Sequence, residues 1–330
     1  MRRLLSLFTF IRILYSCDDG DSSNVPPPVV DPNVYDWTFQ GSTSLINYTD
    51  VYFADEQFGW VVGDNNTILS TSSGGASWPQ APVNSFDGNF RSVHLIDAEK
   101  GWIAGDLNGS RPDGSVYVSL IGGAYPTAQT TADLPMNTVF MLDEEYGWSG
   151  GANGQILYTQ DGSEWFESQA DLPIDIYDIH FTDQQNGWLT GTNGYIYRSK
   201  DGGISWEEEY RIPGIDLFAL QMIDTVQGWA CGLANTLMLR TIDNGNVTWT
   251  VTPVDSEFGG LDWYDLHFVS KEKGWIVGQD GAIHRTENGG INWIKETTSA
   301  QGDLNAVYMV NENKGWIAGD LGIILTYTPQ

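Results

Sequence analysis

The chain has 330 residues, with 43 acidic side chains against 15 basic ones, a net charge of −28, 38 glycines and 14 tryptophans. A body this acidic repels phosphate backbones and anionic membrane surfaces, which argues against nucleic acid as a partner. Beyond the N-terminus no stretch is apolar enough to span a bilayer, and two cysteines cannot supply a disulfide framework.

The chain opens with Arg2 and Arg3, an apolar run from Leu4 to Ile11, and Leu14-Tyr15-Ser16-Cys17. A basic start, an apolar core and a small residue before cysteine resemble a bacterial lipoprotein signal. Residues 1–17 are therefore expected to form an export signal ending at Cys17, the lipidated residue. Arg12 and Tyr15 depart from that pattern, and an ordinary secretory signal is the alternative. Residues 18–34, acidic and rich in Pro and Ser, read as a solvated tether. The folded domain is expected over residues 35–330, with membrane contact only through the lipid.

Within that domain Gly-Trp occurs seven times, at Trp60, Trp102, Trp148, Trp188, Trp229, Trp275 and Trp316, recurring every 40–46 residues as G-W-x-x-G. That period is the length of one four-stranded propeller blade. Nine residues before each tryptophan stand Val51, Val93, Val139, Ile179, Leu220, Leu266 and Val307, and seven before it stand Phe, Leu or Met. The alternation marks a strand. Asp55, Asp97, Asp143, Asp183 and Asp224 follow it and predict turns that bond their own backbone. After the G-W-x-x-G strand, Asn153-Gly154, Asn193-Gly194 and Asp280-Gly281 predict tight hairpins.

A third strand then runs into S/T-x-D-x-G-x-[ST]-W, clearest from Ser199 to Trp206, where the Asp should cap amides and the Trp should pack on the blade. In the second blade Tyr125 takes the tryptophan position. The seventh blade ends without a fourth strand, while Trp37 stands eleven residues before the first apolar anchor, Tyr48, as the box tryptophans of other blades do. The strand around Trp37 is therefore predicted to complete the last blade. The expected fold is an all-β, seven-bladed propeller of four-stranded antiparallel blades, closed by pairing both chain ends.

The pattern V-x-F-x-D-x-x-x-G-W-x-x-G, followed by R-[ST]-x-D-G-G-x-[ST]-W, resembles the photosystem II stability/assembly factor propellers and their non-photosynthetic bacterial relatives, from Trp37 to Thr328. The resemblance implies non-catalytic protein binding through an arginine-rich face, by a monomer with no cofactor and no metal. Similar boxes occur in sialidases, so a glycan hydrolase or carbohydrate-binding propeller is the alternative.

Arg198, Arg240 and Arg285 hold one repeat position on three consecutive blades and are the candidate docking patch, with Phe258 in the long segment from Val251 to Asp262 as a further contact. Blades one to three carry Ser70, Val118 and Tyr158 there instead. The opposing reading pairs each arginine with a local acid. His94, His180 and His267 share a position in alternate blades and are expected to pack between blades, because histidines on alternate blades lie too far apart to share a metal. Tyr210-Arg211-Ile212-Pro213 resembles a sialidase motif but stands between the fourth and fifth blades, without the partners such chemistry needs. Cys231 occupies a small-residue strand position and should be buried.

Overall fold

The computed structural model describes residues 36–327, apart from 41–44, 84–87, 108–113, 120–122, 125, 133, 253 and 255–259. Cys17, Phe258 and Tyr125, and the expected signal and tether, lie outside the described residues. The chain divides into two compact units, Met1–Val34 and Tyr35–Gln330, and everything described belongs to the second. None of the described helices is long and apolar enough to cross a membrane.

The second unit is a seven-bladed β-propeller. Six sheets have four strands, and the first blade has three: Tyr48–Phe53, Gly59–Gly63 and Thr67–Thr71. Its fourth position is a single bridge between Leu69 and Gln80, reinforced by Ser70 N–H to Pro79 O (3.0 Å) and Ala81 N–H to Ile68 O (2.9 Å). The innermost strand of each blade packs against that of the next, and Tyr48–Phe53 packs against Leu304–Asn311 of the seventh blade, so the ring closes. The closing strand is Trp37–Phe39, paired antiparallel with Ile324–Tyr327 in the register Trp37 to Tyr327 and Phe39 to Leu325. The first and last described strands share one sheet, as the spacing of Trp37 predicts, and the seventh blade gains its fourth strand from them.

The Gly-Trp unit is the device that joins blades. Phe53, Phe181 and Phe268 each lie flat on the tryptophan of the preceding blade, with centroids 3.3, 3.5 and 3.5 Å apart on Trp316, Trp148 and Trp229. Each phenylalanine also covers the glycine of its own blade. A Cβ at Gly59 would come within 2.5 Å of the Phe53 ring, and one at Gly187 within 2.3 Å of Phe181. Only glycine lets that ring lie between its own backbone and the neighbouring indole. Trp148 and Trp229 donate their Nε1–H to Gly202 O (2.8 Å) and Gly289 O (2.9 Å) in the turns before the box tryptophans. Trp206 and Trp293 then meet Phe181 and Phe268 edge-on.

The turns follow their sequence signals. Asp183 accepts the amides of Gln185 and Asn186 at 2.8 Å, and Asp201 accepts Ser205 N–H at 2.9 Å. The hairpins at Asn153, Asn193 and Asp280 place those residues at φ 50°, 59° and 56°. Leu321 adopts the same conformation (φ 57°) without a turn-forming side chain, which the sequence does not signal. Cys231 is buried in its strand, its thiol facing the Trp263 carbonyl.

Candidate functional site

Three places carry unusual chemistry: the seam between outer strands, the channel wall, and the mouth of the channel where the innermost strands begin.

At the seam, Glu209 on the outermost strand of blade four is the hub. Arg240, from blade five, donates Nε–H to its Oε1 (2.7 Å) and Nη2–H to its Oε2 (3.0 Å), a bidentate pair. Its remaining nitrogen reaches the carbonyls of Thr225 (2.9 Å) and Val226 (2.8 Å). Trp188 and Trp249 donate to the same Oε1 at 3.2 and 3.1 Å. Arg198 lies over the Trp188 ring, 3.6 Å from Glu209 and 3.3 Å from Asn186 Oδ1. Burial disfavours the charge on Glu209, but the hydrogen bond and charge of Arg240, with Trp249 and Arg198, hold its carboxyl below the usual range.

Arg285 does the equivalent work two seams on, between blades six and seven. Its Nε–H reaches Glu296 Oε1 (2.7 Å), its other arm pairs with Glu287, and Glu296 Oε2 accepts the Trp37 indole N–H at 2.6 Å. Arg285 therefore anchors the ring closure.

The arginine patch is thus corrected. The Arg240 side chain is 0% exposed and cannot touch a partner, while Arg198 and Arg285 are 19% and 21% exposed. All three pair with carboxylates, Arg198 and Arg240 also lie over Trp188, and Arg240 reaches across to the neighbouring blade rather than to an acid of its own. Arg211 is likewise local, stacked on Tyr195 and donating to Asn193 O at 3.3 Å.

Lower in the channel wall, Asp50, Asp178 and Asp265 clasp adjacent blades. Asp50 accepts Val51 N–H (2.7 Å) with one oxygen and Val93 N–H of the next blade (2.8 Å) with the other. Asp178 does the same with Ile179 and Leu220, and Asp265 with Leu266 and Val307. Burial pushes the carboxyls of Asp50 and Asp178 up to about 7 and that of Asp265 well above the ordinary value.

Two residues further along each strand, the histidines sit in a belt of rings. Tyr308 touches Tyr52 (4.2 Å between centroids), Tyr52 touches His94 (4.4 Å), His94 touches Phe140 (5.1 Å), and Phe140 touches His180 (4.6 Å). His267 packs on Tyr308 (4.6 Å). Burial pulls His94 down to about 3 and His180 and His267 down to about 4. Phe140 thus separates His94 from His180 and Gln221 holds the position between His180 and His267, and among the described residues no three His, Cys, Asp or Glu side chains converge on a metal-binding geometry.

The mouth is built from the position eleven residues before each Gly-Trp tryptophan. In blades one, three and seven a polar side chain stitches to the next blade: Thr49 to Phe90 O, Asn137 to Ile176 O and Asn305 to Tyr48 O, each at 2.8 Å. In blade two Arg91 pairs with Asp106 at 2.6 Å. Blades four, five and six carry Tyr177, Phe218 and Tyr264 instead, in a contiguous half-ring with centroids 5.4 and 5.8 Å apart. They line a cavity of about 470 Å³ with Asp64 and Asp320 on its rim. Sequence reasoning missed this half-ring. Its signal was three aromatics at one repeat position on consecutive blades, the same logic that singled out the arginines.

Fold and site together define a type of scaffold: a closed seven-bladed propeller whose arginines and carboxylates lock blades, with a concave aromatic mouth. The particular family follows from sequence. The model for "Photosynthesis system II assembly factor YCF48" matches residues 32–108, 163–261 and 249–329, and the chain belongs to that family. It is similar to the photosystem II assembly lipoprotein Ycf48 of Synechocystis sp. (27% identity, 32% of this chain, 31% of that protein). It also resembles the chloroplastic photosystem II stability/assembly factor HCF136 of Arabidopsis thaliana (34% identity, 23% of this chain, 19% of that protein). The matched stretches thus span under a third of these relatives' length. Among solved structures, YCF48 bound to D1 peptide aligns with TM-score 0.73 at 19% identity over 90% of this chain and 96% of the other. YCF48 from Cyanidioschyzon merolae aligns with TM-score 0.71 at 18% identity over 88% and 98%. At that identity the likeness establishes the fold.

Proposed function

We propose that this protein is a non-catalytic binding propeller of the bacterial cell envelope, which holds a partner protein during assembly through the channel-mouth face. The observation that carries the reading is the contrast in side-chain use within a family of assembly factors: the conspicuous charges close seams, and at the mouth three consecutive blades present aromatic side chains to one cavity. Peptide binding is printed for one structural relative, YCF48 bound to D1 peptide, and a lipoprotein form for the Synechocystis relative; both support the reading by analogy. In this proposal residues 1–17 direct export, Cys17 carries the lipid, residues 18–34 form the tether, and residues 35–330 bind. The glycan-hydrolase alternative loses its arginine, since Arg211 is stacked on Tyr195.

The test is photo-crosslinking from the mouth in the native host. A crosslinker at position 218 should capture a discrete protein partner, and one at the seam position 198 should not. Capture from neither position, or equal capture from both, defeats the proposal. Cys17→Ala should move the protein from the membrane to the soluble fraction; unchanged fractionation removes the lipid anchor.

A further inference from the structure

We infer that the channel mouth docks a basic segment of the partner, with a lysine or arginine side chain over Phe218 between Tyr177 and Tyr264. This rests on the protein-binding reading above and adds the chemistry of the partner.

The first observation is shape. Tyr177, Phe218 and Tyr264 are half-buried, tilted against one another at 53° and 59°, and line a cavity of about 470 Å³. A concave wall of aromatic faces suits the stem of a long side chain and attracts its cationic head through the ring quadrupoles.

The second is charge. Asp175 and Asp216 lie close enough to Tyr177, and Asp262, Asp303 and Asp320 close enough to Tyr264, to disfavour ionisation of both phenols, after burial itself. Tyr264 also donates its hydroxyl to Asp303 at 3.2 Å. Asp175, Asp216, Asp262 and Asp303 each use one oxygen to accept an amide from the turn of the preceding blade, at 2.8–3.0 Å. Among the described residues none of these acids is ion-paired. These acids are thus fixed in place by backbone amides, with no cation among the described residues neutralising them.

The third is what the cavity lacks. Among the described residues its lining includes one basic side chain, Arg91, and Asp106 already holds it at 2.6 Å. Below the aromatics the cavity narrows to about 160 Å³, walled by Asp50, Asp178 and Asp265. An anionic segment would meet the acids of the rim; a cationic one meets complementary charge there.

The experiment is fluorescence anisotropy of the full chain with a dye-labelled, end-blocked Gly-Lys-Gly-Arg-Gly peptide, beside the same peptide with Glu at both charged positions. The basic probe should bind, and raising salt from 0.05 to 0.5 M should weaken it on the order of tenfold. Phe218→Ala should weaken it about fivefold, the usual scale of a cation–π contact. Asp216→Asn with Asp303→Asn keeps an oxygen for the turn amides, removes two charges, and should weaken it about tenfold. If Phe218→Ala melts early, Phe218→Leu keeps the apolar volume, loses the ring and carries the same expectation. Equal binding of the acidic probe, no binding of the basic one, or binding unmoved by these substitutions overturns the inference. A partner crosslinked at position 218 without basic-peptide binding would sink this inference alone; absence of both would sink the binding reading with it.

Discussion

The outer seam and the channel mouth use charge in opposite ways. At the seam, Glu209 receives Arg240, Trp188 and Trp249, with Arg198 beside it, so nearly every polar atom has an internal partner. At the mouth, Asp175, Asp216 and Asp262 each accept a backbone amide and, among the described residues, no cation. In a chain of net charge −28, arginines are scarce enough to look functional, yet Arg198, Arg240 and Arg285 serve the seams. Scarcity of a residue type therefore says less about binding than whether its hydrogen-bonding capacity is already satisfied within the fold.

The strongest way to break the comparison is at its buried end. Arg240→Met should leave the Glu209 carboxylate desolvated and unpaired, lowering unfolding free energy by about 3–5 kcal/mol in a denaturant titration. The double variant Arg240→Met with Glu209→Leu should recover a large part of that loss, because the stranded charge is gone. A loss under about 1 kcal/mol for Arg240→Met would mean the seam is not structural, and Arg240 would need another explanation.

The closure is the next largest effect. Trp37→Phe keeps most of the buried ring but removes the indole donor to Glu296, a hydrogen bond to a carboxylate worth about 1.5–3 kcal/mol. If ring closure is the cooperative step, the loss should appear in the single unfolding transition of the whole propeller rather than as separate melting of one blade.

That closure was legible in the sequence because it rests on spacing: Trp37 stands at the same distance from Tyr48 as Trp206 does from Leu217. The blade count, the hairpins and the capping aspartates were legible for the same reason, since each is a local rule repeated at a fixed interval. The seam partners were not. Arg240 and Glu209 are 31 residues apart on different blades, and no local pattern states which acid among 43 an arginine will find. The mouth was hidden differently. Thr49, Arg91, Asn137, Tyr177, Phe218, Tyr264 and Asn305 share a place in the repeat but not a chemistry, so the position reads as ordinary strand variation until the ring sets its members side by side.

The channel wall sharpens the contrast through pH. His94, His180 and His267 are held down from 6.5 to about 3–4 by burial, so the folded state takes up their protons less readily than the unfolded chain. Their contribution is fully present above pH 6.5 and is lost as pH falls through about 4. Asp50 and Asp178 are raised from 3.8 to about 7, so theirs is present below 3.8 and is lost as pH rises through about 7. Between these limits the two trends oppose one another, and the melting temperature should change little from pH 4 to 6.5. Replacing all three histidines with Phe, which already occupies this position as Phe140, should unmask the carboxyls. The variant should then gain stability steadily as pH falls from 7 to 4. A variant that loses stability on acidification over this range would show that burial does not raise the Asp50 and Asp178 carboxyls.

The smallest expected effect on stability belongs to the mouth. Phe218 touches Tyr177 and Tyr264 but makes none of the blade-to-blade hydrogen bonds that Thr49, Asn137 and Asn305 make at the same repeat position. Phe218→Asn should therefore cost less than about 1 kcal/mol, and it could even recover part of that by reaching the next blade's carbonyl as Asn137 reaches Ile176 O at 2.8 Å. The repeat itself supplies the structural solution for this position, and three consecutive blades do not use it. A loss near that of Arg240→Met would place the aromatics in the scaffold with the arginines and erase the distinction between the two regions. A small loss, beside a large one at the seam, would mean the half-ring is kept for something other than the fold.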